Sequence, residues 1–223
     1  MEKYKIPIEK KVIEIVINKI NFKHIKFIFE IRPREFFKYA EYDLKIKEKQ
    51  NGRRSLINSL TNSKRAIDSQ LDLLLYCYGL YRLSNRKEWK VPQKIKILKK
   101  INISVPDLII KVTNWRNDLE HRYKLPTKEN VRESLDIAKL FLDSTEIYTS
   151  PIIAEVLGTF NTKKIVISFD YDKEKIHIRM NNEFVGEISS SNLKEYLKYL
   201  KLFAELGKEI KMEKQKNIRE IVT

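Results

Sequence analysis

The sequence feature that most constrains the fold is an apolar pattern of helical spacing that runs from Leu56 to Tyr81. Its members recur mostly at intervals of three, four or seven residues, which places them on one face of an α-helix. Only 5 glycines and 6 prolines occur in 223 residues, and these two residue types are the ones that interrupt helices. The sequence therefore favours long helices, and it argues against a propeller, a collagenous chain or a glycine-rich nucleotide-binding domain.

Other segments extend the helical part of the chain. Residues 34–49 carry apolar side chains at helical spacing, and a similar segment follows Thr127, which is placed to cap its first turn. Between them, the pattern predicts a helix over residues 104–124 with Ser104 as its N-cap. We therefore expect residues 33–157 to form an all-α bundle of four or five helices.

The last third of the chain changes class. Alternating apolar and polar residues occupy three segments, 165–171, 176–180 and 184–188. This alternation predicts a three-stranded antiparallel meander. A helix follows, and its start has the Asn192-x-x-Glu195 spacing that is typical of a capping box. Residues 158–223 are therefore predicted to form a small α+β domain.

Residues 1–32 are rich in β-branched side chains. Alternation over residues 25–31 predicts a strand, with residues 12–17 as its partner and residues 18–21 as the turn. A helix over residues 8–20 is the alternative, because the apolar residues there also have helical spacing. If strands form, we expect them to join the C-terminal sheet, since an isolated three-stranded meander buries little surface.

The charge of the chain is strongly basic and unevenly distributed. Lys and Arg number 45 against 30 Asp and Glu, which gives a net charge of +15. Residues 1–150 carry 32 basic and 19 acidic side chains, whereas residues 151–223 carry 13 and 11. A field of this sign attracts polyanions, nucleic acid first and an acidic membrane surface second. A general lysine bias of the source proteome is the alternative explanation.

One segment concentrates this charge. Residues 82–100 contain eight basic residues and a single acidic residue, Glu88, with Trp89 among them. Cations can hold phosphates, and an indole ring can stack on a base. The alternative is a solvent-exposed connector whose Trp89 covers the core.

The helix predicted over residues 104–124 carries the residues with the clearest chemistry. On a helical wheel its buried stripe consists of Leu108, Val112, Trp115 and Leu119. Beside that stripe lies a polar arc, which we define as Arg116, Asn117, Glu120, His121 and Tyr123. Asn117 and His121 are i,i+4 neighbours that can hydrogen-bond, and Arg116 can pair with Glu120 in the same way.

The polar arc contains what metal-independent RNA cleavage needs. A histidine can move a proton near neutral pH, and an arginine can hold a phosphate and its developing negative charge. In such cleavage the ribose 2′-OH attacks the adjacent phosphorus. Attack and departure occur on opposite sides of the phosphorus, so one helix supplies half of the site and a symmetric dimer would supply both halves.

These residues resemble a known motif. Arg116-Asn117-x-x-x-His121 is similar to the Arg-x(4–6)-His motif of the HEPN-domain ribonuclease family, in which Asn often follows the Arg. With Tyr123, the pattern looks like the form found in the toxins of HEPN–MNT toxin–antitoxin pairs. The resemblance covers about residues 34–150.

The resemblance implies a dimeric helical bundle and an endoribonuclease that leaves 2′,3′-cyclic phosphate ends. It implies that Arg116 and His121 are the catalytic pair and that Asn117 is their polar neighbour. Tyr123 matches the tyrosine that an MNT nucleotidyltransferase partner modifies with AMP to silence the toxin. The RNA-binding residues that we expect beside this site are Arg82, Arg86, Lys87, Trp89, Lys90 and Arg122.

The sequence therefore predicts an α+β protein that is mainly α: a HEPN-like helical bundle with a small antiparallel β-sheet plus a helix at the C-terminus. The predicted function is that of a toxin or defence endoribonuclease that cleaves single-stranded RNA as a homodimer. A non-catalytic RNA-binding or regulatory module on the same scaffold is the first alternative. A partner-binding protein whose motif helix forms a dimer interface is the second.

Several other functions and compartments are not expected. Cys77 is the only cysteine, which argues against a disulfide scaffold and a multi-cysteine metal site. Asp170, Asp172 and His177 flank a predicted hairpin turn at ordinary spacing, so we expect no metal there and no cofactor elsewhere. Neither a transmembrane segment nor a signal peptide is indicated, and we expect a cytoplasmic protein.

Overall fold

The computed structural model describes residues 3–8, 11–26, 28–46 and 52–222. The helices are α1 (Pro33–Ile46), α2 (Gly52–Cys77), α3 (Tyr81–Arg86), α4 (Val91–Lys100), α5 (Ile109–Arg122), α6 (Lys128–Thr145) and α7 (Leu193–Val222). The strands are β1 (Lys3–Ile8), β2 (Lys11–Lys23), β3 (Ile152–Phe160), β4 (Lys163–Asp170), β5 (Lys175–Met180) and β6 (Glu183–Ser189). A 3₁₀ turn at Glu146–Tyr148 leads from α6 towards β3.

The six strands form one antiparallel sheet in the order β1-β2-β3-β4-β5-β6. The two N-terminal strands lie beside the four C-terminal strands because β2 pairs with β3, with Val16 opposite Thr159 and Phe22 opposite Ile153. Helices α1 to α6 are therefore inserted between the second and third strands of a single sheet.

The predicted fold class, a mainly helical HEPN-like bundle with a small C-terminal sheet, is wrong. The chain is an α+β protein whose sheet has six strands and draws on both ends of the chain. The prediction missed β3, and this strand crosses the boundary predicted at residues 157 and 158. Apolar residues stand next to each other in β3, at Ile152 and Ile153 and again at Val156 and Leu157, so the alternation that identifies a half-buried strand is weak there.

The N-terminal segment also differs in detail from the prediction. The strand predicted at residues 12–17 is confirmed, but it continues to Lys23 through the predicted turn at residues 18–21. The pairing with β3 shifts register between Ile17 and Lys19, so a β-bulge replaces the turn. The strand predicted over residues 25–31 is absent from the described part of this segment, and Phe27 lies outside the described residues.

Helix α2 is the central element of the helical part, and α1, α5 and α6 pack against it. The apolar pattern that predicts this helix is confirmed, because Leu60, Ile67, Leu71 and Leu74 are fully buried. Gly79 follows α2 with a φ of +61°. A Cβ at Gly79 would lie 2.8 Å from the Phe169 ring of β4, so glycine permits both the turn and the close approach of the sheet.

The long helix α7 covers the sheet near β3 and β6. Its residues Tyr196, Leu200 and Phe203 are buried, as their helical spacing predicts. Phe169 of β4 lies between them, with ring centroids 5.9 Å from Tyr196 and 6.1 Å from Phe203. The same Phe169 approaches Gly79 at the end of α2, so helices and sheet share one hydrophobic core.

Candidate functional site

The helix that carries the motif is shorter than predicted. It begins at Ile109 rather than near Ser104, and it ends at Arg122. Leu108, which the wheel placed in the buried stripe, lies just before the helix and is exposed. The buried face of α5 instead begins with Ile109 and Val112, and it continues through the half-buried Trp115 and Leu119.

Arg116 lies at the edge of this buried face. Its side chain is 22% exposed and forms an ion pair through Nη1 with Oε1 of Glu120, as the i,i+4 spacing predicts. The same Nη1 atom is buried and forms no hydrogen bond of good geometry among the described residues. Burial lowers the pKa of Arg116, the charge of Arg65 lowers it further, and the charge of Asp68 opposes both effects. Arg116 therefore lies near α2, among charges of both signs: Arg65 and Asp68 of α2 and Glu120 of its own helix.

Asn117 and His121 are both exposed on the outer side of α5. The hydrogen bond expected between them is not formed, and neither side chain has a partner among the residues that the structure describes. An exposed imidazole without a partner is accessible to a bound molecule. Four of the five residues of the polar arc, Arg116, Asn117, Glu120 and His121, thus lie on α5 itself, with Arg116 at the buried end.

Tyr123 does not share the helical face that the wheel assigned to it. It follows α5 in the left-handed conformation, with φ at 53° and ψ at 26°, and the N–H of the next residue, Lys124, donates a 3.1 Å hydrogen bond to the Asp118 carbonyl oxygen. An aromatic residue rarely adopts this conformation, which glycine usually supplies at a helix end. The side chain is 88% exposed, so its hydroxyl is accessible to a modifying enzyme.

The predicted RNA-binding residues lie in two places. Arg122, at the end of α5, is exposed and forms a 3.0 Å ion pair with Asp118. The others lie in or just after α3, and α3 follows the far end of α2. Asp68 and the end of α2 at Cys77 are nine residues apart, which is about 14 Å along a helix axis. The α3 region is therefore not part of the polar arc.

Two arginines of α3 contact the turn between β4 and β5. Arg82 donates a 2.8 Å hydrogen bond to the carbonyl oxygen of Asp172. Arg86 forms a 2.9 Å ion pair with Glu174, a nearly buried carboxylate. Both arginines thus hold the sheet against the helices.

Trp89 is half-buried and packs against the hydrophobic core. This is the alternative that the sequence left open, in which the indole covers the core rather than a base. Lys87 and Lys90 are exposed on either side of it.

Sequence reasoning missed a row of charged residues on α2 that lies beneath α4 and α5. Lys64 forms an ion pair with Asp68, and Asp72 forms a 2.5 Å ion pair with Lys94 of α4. Burial raises the pKa of Asp72, although the contact with Lys94 opposes that rise. Lys64, Asp68 and Asp72 are spaced by four residues and so lie on one side of α2, and this spacing is the signal that could have identified the row.

Two further properties concern the described residues as a whole. They contain no group of three or more His, Cys, Asp or Glu side chains arranged to hold a metal ion. None of the helices in this part of the chain combines the length and apolar character needed to cross a lipid bilayer.

Comparison with known proteins gives no relative. No protein-family model, no curated protein and no solved structure matches this chain significantly. Any functional conclusion therefore depends on the chemistry of the polar arc and on its motif.

Proposed function

We propose that this chain is an endoribonuclease that cleaves single-stranded RNA without a metal, by attack of the ribose 2′-OH on the adjacent phosphorus. In this reaction a bond forms between the 2′ oxygen and phosphorus, and the bond from phosphorus to the 5′ oxygen breaks. The 2′-OH loses its proton and the departing 5′ oxygen gains one. His121 is the proton-transfer group, Arg116 neutralises the phosphate, and Asn117 binds a phosphate oxygen or orients the imidazole.

The observation that carries this proposal is the pairing of two unlike groups on one helix. His121 is exposed and has no partner among the described residues, while Arg116 is half-buried one and a half turns earlier in the helix. Arg65 adds a second positive charge near Arg116, and Asp68 and Glu120 each add a negative charge. A proton-transfer group on the same helix as a guanidinium suits a phosphodiester whose negative charge increases in the transition state. The motif resemblance to HEPN ribonucleases supports the proposal through these residues and not through the overall fold.

The proposal includes a homodimer, because one polar arc supplies groups on one side of the phosphorus only. Apolar side chains are exposed at both ends of α5, namely Leu108 before the helix and Leu125 after it. Leu140 of the neighbouring helix α6 is also exposed. Such a surface suits contact with a second copy of the chain across a two-fold axis. Cytoplasmic location, and silencing by an MNT-type nucleotidyltransferase acting on Tyr123, are further parts of the proposal.

The test is cleavage of a single-stranded RNA in the presence of EDTA. We expect the wild type to cleave, and we expect His121→Ala to lose that activity. His24→Ala is the matched control, because His24 is also an exposed histidine but lies before α1, at the other end of the chain. Equal cleavage by His121→Ala and the wild type would contradict the proposal, as would dependence on an added metal.

A non-catalytic RNA-binding module is the second candidate. The ion pair between Arg116 and Glu120 favours it, because a phosphate must displace the Glu120 carboxylate to reach Nη1. This candidate predicts RNA binding that weakens with salt while the RNA stays intact. Glu120→Gln separates the two candidates: it should raise cleavage by freeing Arg116 if the site is catalytic, and it should raise affinity alone if it is not.

A further inference from the structure

A groove of about 410 Å³ lies between α1 and α2. Two tyrosines of α1 and several polar side chains line it, including Tyr39, Tyr42, Asp43, Asn58, Asn62 and Arg65. We refer to these six residues as the aromatic groove. None of them belongs to the motif on α5 or to the basic segment around α3.

The aromatic groove is connected to the polar arc through Arg65. This residue lines the groove, and its charge also lowers the pKa of Arg116. Helix α2, which carries Arg65, packs against α1 and also against α5, so Arg65 links the groove to the helix of the polar arc. A chain molecule bound at Arg116 can therefore continue past Arg65 into the groove.

The tyrosine rings are unusually open for side chains of this type. Tyr39 is 47% exposed and Tyr42 is 65% exposed, and their i,i+3 spacing places them on the same side of α1. Phe36 contacts Tyr39 edge-on, with ring centroids 6.4 Å apart and planes at 88°. This contact orients the Tyr39 ring, and within the described ranges no other ring stacks on it. Exposed aromatic rings beside a cationic site are platforms on which unpaired bases stack.

The polar side chains place charges of opposite sign in different parts of the groove. Asn62 donates a 2.8 Å hydrogen bond from Nδ2 to Asp43, and its Oδ1 accepts a 3.4 Å hydrogen bond from Arg65. Negative charge is thus held at the tyrosine side and positive charge at the side near α5. A phosphate is attracted to Arg65 and repelled by Asp43, whereas the donor edge of a base can face Asp43.

We propose that the aromatic groove binds the unpaired nucleotides next to the scissile phosphate of a single-stranded RNA. Tyr39 and Tyr42 stack on bases, and Arg65 holds the phosphate that follows. The inference rests on the proposed function for the position of the cleaved bond. Binding in the groove, however, does not require cleavage, and the two can be measured separately.

The experiment measures RNA affinity in the full-length His121→Ala protein, so that the RNA stays intact. A short fluorescein-labelled single-stranded RNA of mixed sequence is titrated in EDTA and followed by fluorescence anisotropy. Replacing both tyrosines by alanine should raise Kd about tenfold or more, because two stacking surfaces are lost. Replacing both by phenylalanine should leave Kd unchanged, because the ring faces remain. A duplex of the same sequence should show no dependence on the tyrosines.

Phe184→Ala is the matched control, because Phe184 is 63% exposed on β6, far along the chain from the groove. Circular dichroism confirms that each variant folds, and Tyr42→Ala alone decides the question if the double variant does not. Unchanged RNA affinity after loss of the rings would overturn the inference, as would an equal loss in Phe184→Ala. If RNA binding depends on the tyrosines but the wild-type protein does not cleave RNA, the result would support the inference about the groove and contradict the proposed nuclease activity.

Discussion

Two basic regions of the molecule, the polar arc of α5 and the segment around α3, differ in what their side chains contact. Around α3, Arg82 binds a backbone carbonyl and Arg86 binds a carboxylate, both in the turn between β4 and β5. On α5, His121 and Asn117 are exposed and have no partners within the described part of the chain. The arginines of α5 are also paired, Arg116 with Glu120 and Arg122 with Asp118, but these partners lie one turn away on the same helix, whereas the α3 arginines hold the sheet. Charge density therefore identifies candidate regions, and the existing contacts decide which of them can accept a phosphate.

The largest expected effect compares one arginine from each region. Arg116→Ala should lower the rate of RNA cleavage by about 10²–10³-fold, since a preorganised positive charge at the phosphate is lost. Arg86→Ala should leave the rate unchanged, because Arg86 lies outside the polar arc and holds Glu174 in the turn between β4 and β5. Initial rates with excess RNA in EDTA measure both. An equal loss of cleavage rate in the two variants would show that both regions contribute to cleavage, and it would contradict the distinction drawn between them.

The free energy of unfolding should depend more on the arginine near α3 than on an arginine of α5. Arg86→Ala leaves the Glu174 carboxylate, which is 7% exposed, without its cation, and we expect a loss of about 1–3 kcal/mol in the free energy of unfolding. Arg122→Ala is the matched control, because its pair with Asp118 is far more exposed and should contribute less than about 1 kcal/mol. Urea unfolding followed by circular dichroism gives both values. Similar losses in the two variants would mean that Arg86 is not anchored as the structure indicates.

The contrast between regions also explains which parts of the fold the sequence could predict. Local signals worked where they depend on neighbours along the chain. The apolar face of α2 is one example, and the cap of α6 is another, because Thr127 and Asn130 exchange hydrogen bonds between side chain and backbone as expected of that start. Strand β3 was missed because adjacent apolar residues in its sequence weaken the alternation. The helix end at Tyr123 was missed because a left-handed tyrosine carries no glycine-like signal.

In the candidate site too, contacts between neighbours along the chain could be predicted, and contacts between helices could not. The i,i+4 ion pair between Arg116 and Glu120 follows from helical geometry alone, and it is confirmed. The placement of Arg65 and Asp68 beside Arg116 depends on how α2 packs against α5, and no spacing along the chain encodes that contact. For the same reason, the sequence of residues 82–100 does not predict that Arg86 contacts Glu174, which is 88 residues away.

The salt dependence of RNA binding sharpens the comparison further. If Arg65 and Arg116 contact phosphates, each substitution by alanine should reduce the slope of log Kd against log salt by about 0.7, the value for one phosphate contact with a single strand. Arg82→Ala should leave the slope unchanged, since its guanidinium already donates to Asp172. Anisotropy titrations at several salt concentrations give the slopes. If only Arg82→Ala reduced the slope, the RNA contacts would have to be assigned to α3 rather than to α5.

The last expected effect concerns a cation that donates its hydrogen bonds within the fold. The Lys211 ammonium of α7 donates to the carbonyl oxygens of Ile147 and Thr149 at 2.8 and 2.6 Å. Burial lowers the pKa of Lys211 from 10.5 to about 8. Between these two values the unfolded chain binds more protons than the folded chain, so the contribution of this lysine to stability should rise with pH across that window. That contribution is complete above pH 10.5 and lost as the pH falls through about 8.

Lys211→Met isolates this contribution, because methionine keeps most of the side-chain volume and does not titrate. The free energy of unfolding of the wild type, minus that of the variant, should be constant below pH 8 and should increase from pH 8 towards pH 10.5. Urea unfolding at a series of pH values gives this difference, and the remaining lysines and tyrosines cancel from it. A difference that stays flat or falls over the window would mean that the two carbonyl oxygens compensate fully for the burial of the charge. Lys211 would then resemble Arg86, a cation whose partners within the fold offset its loss of water.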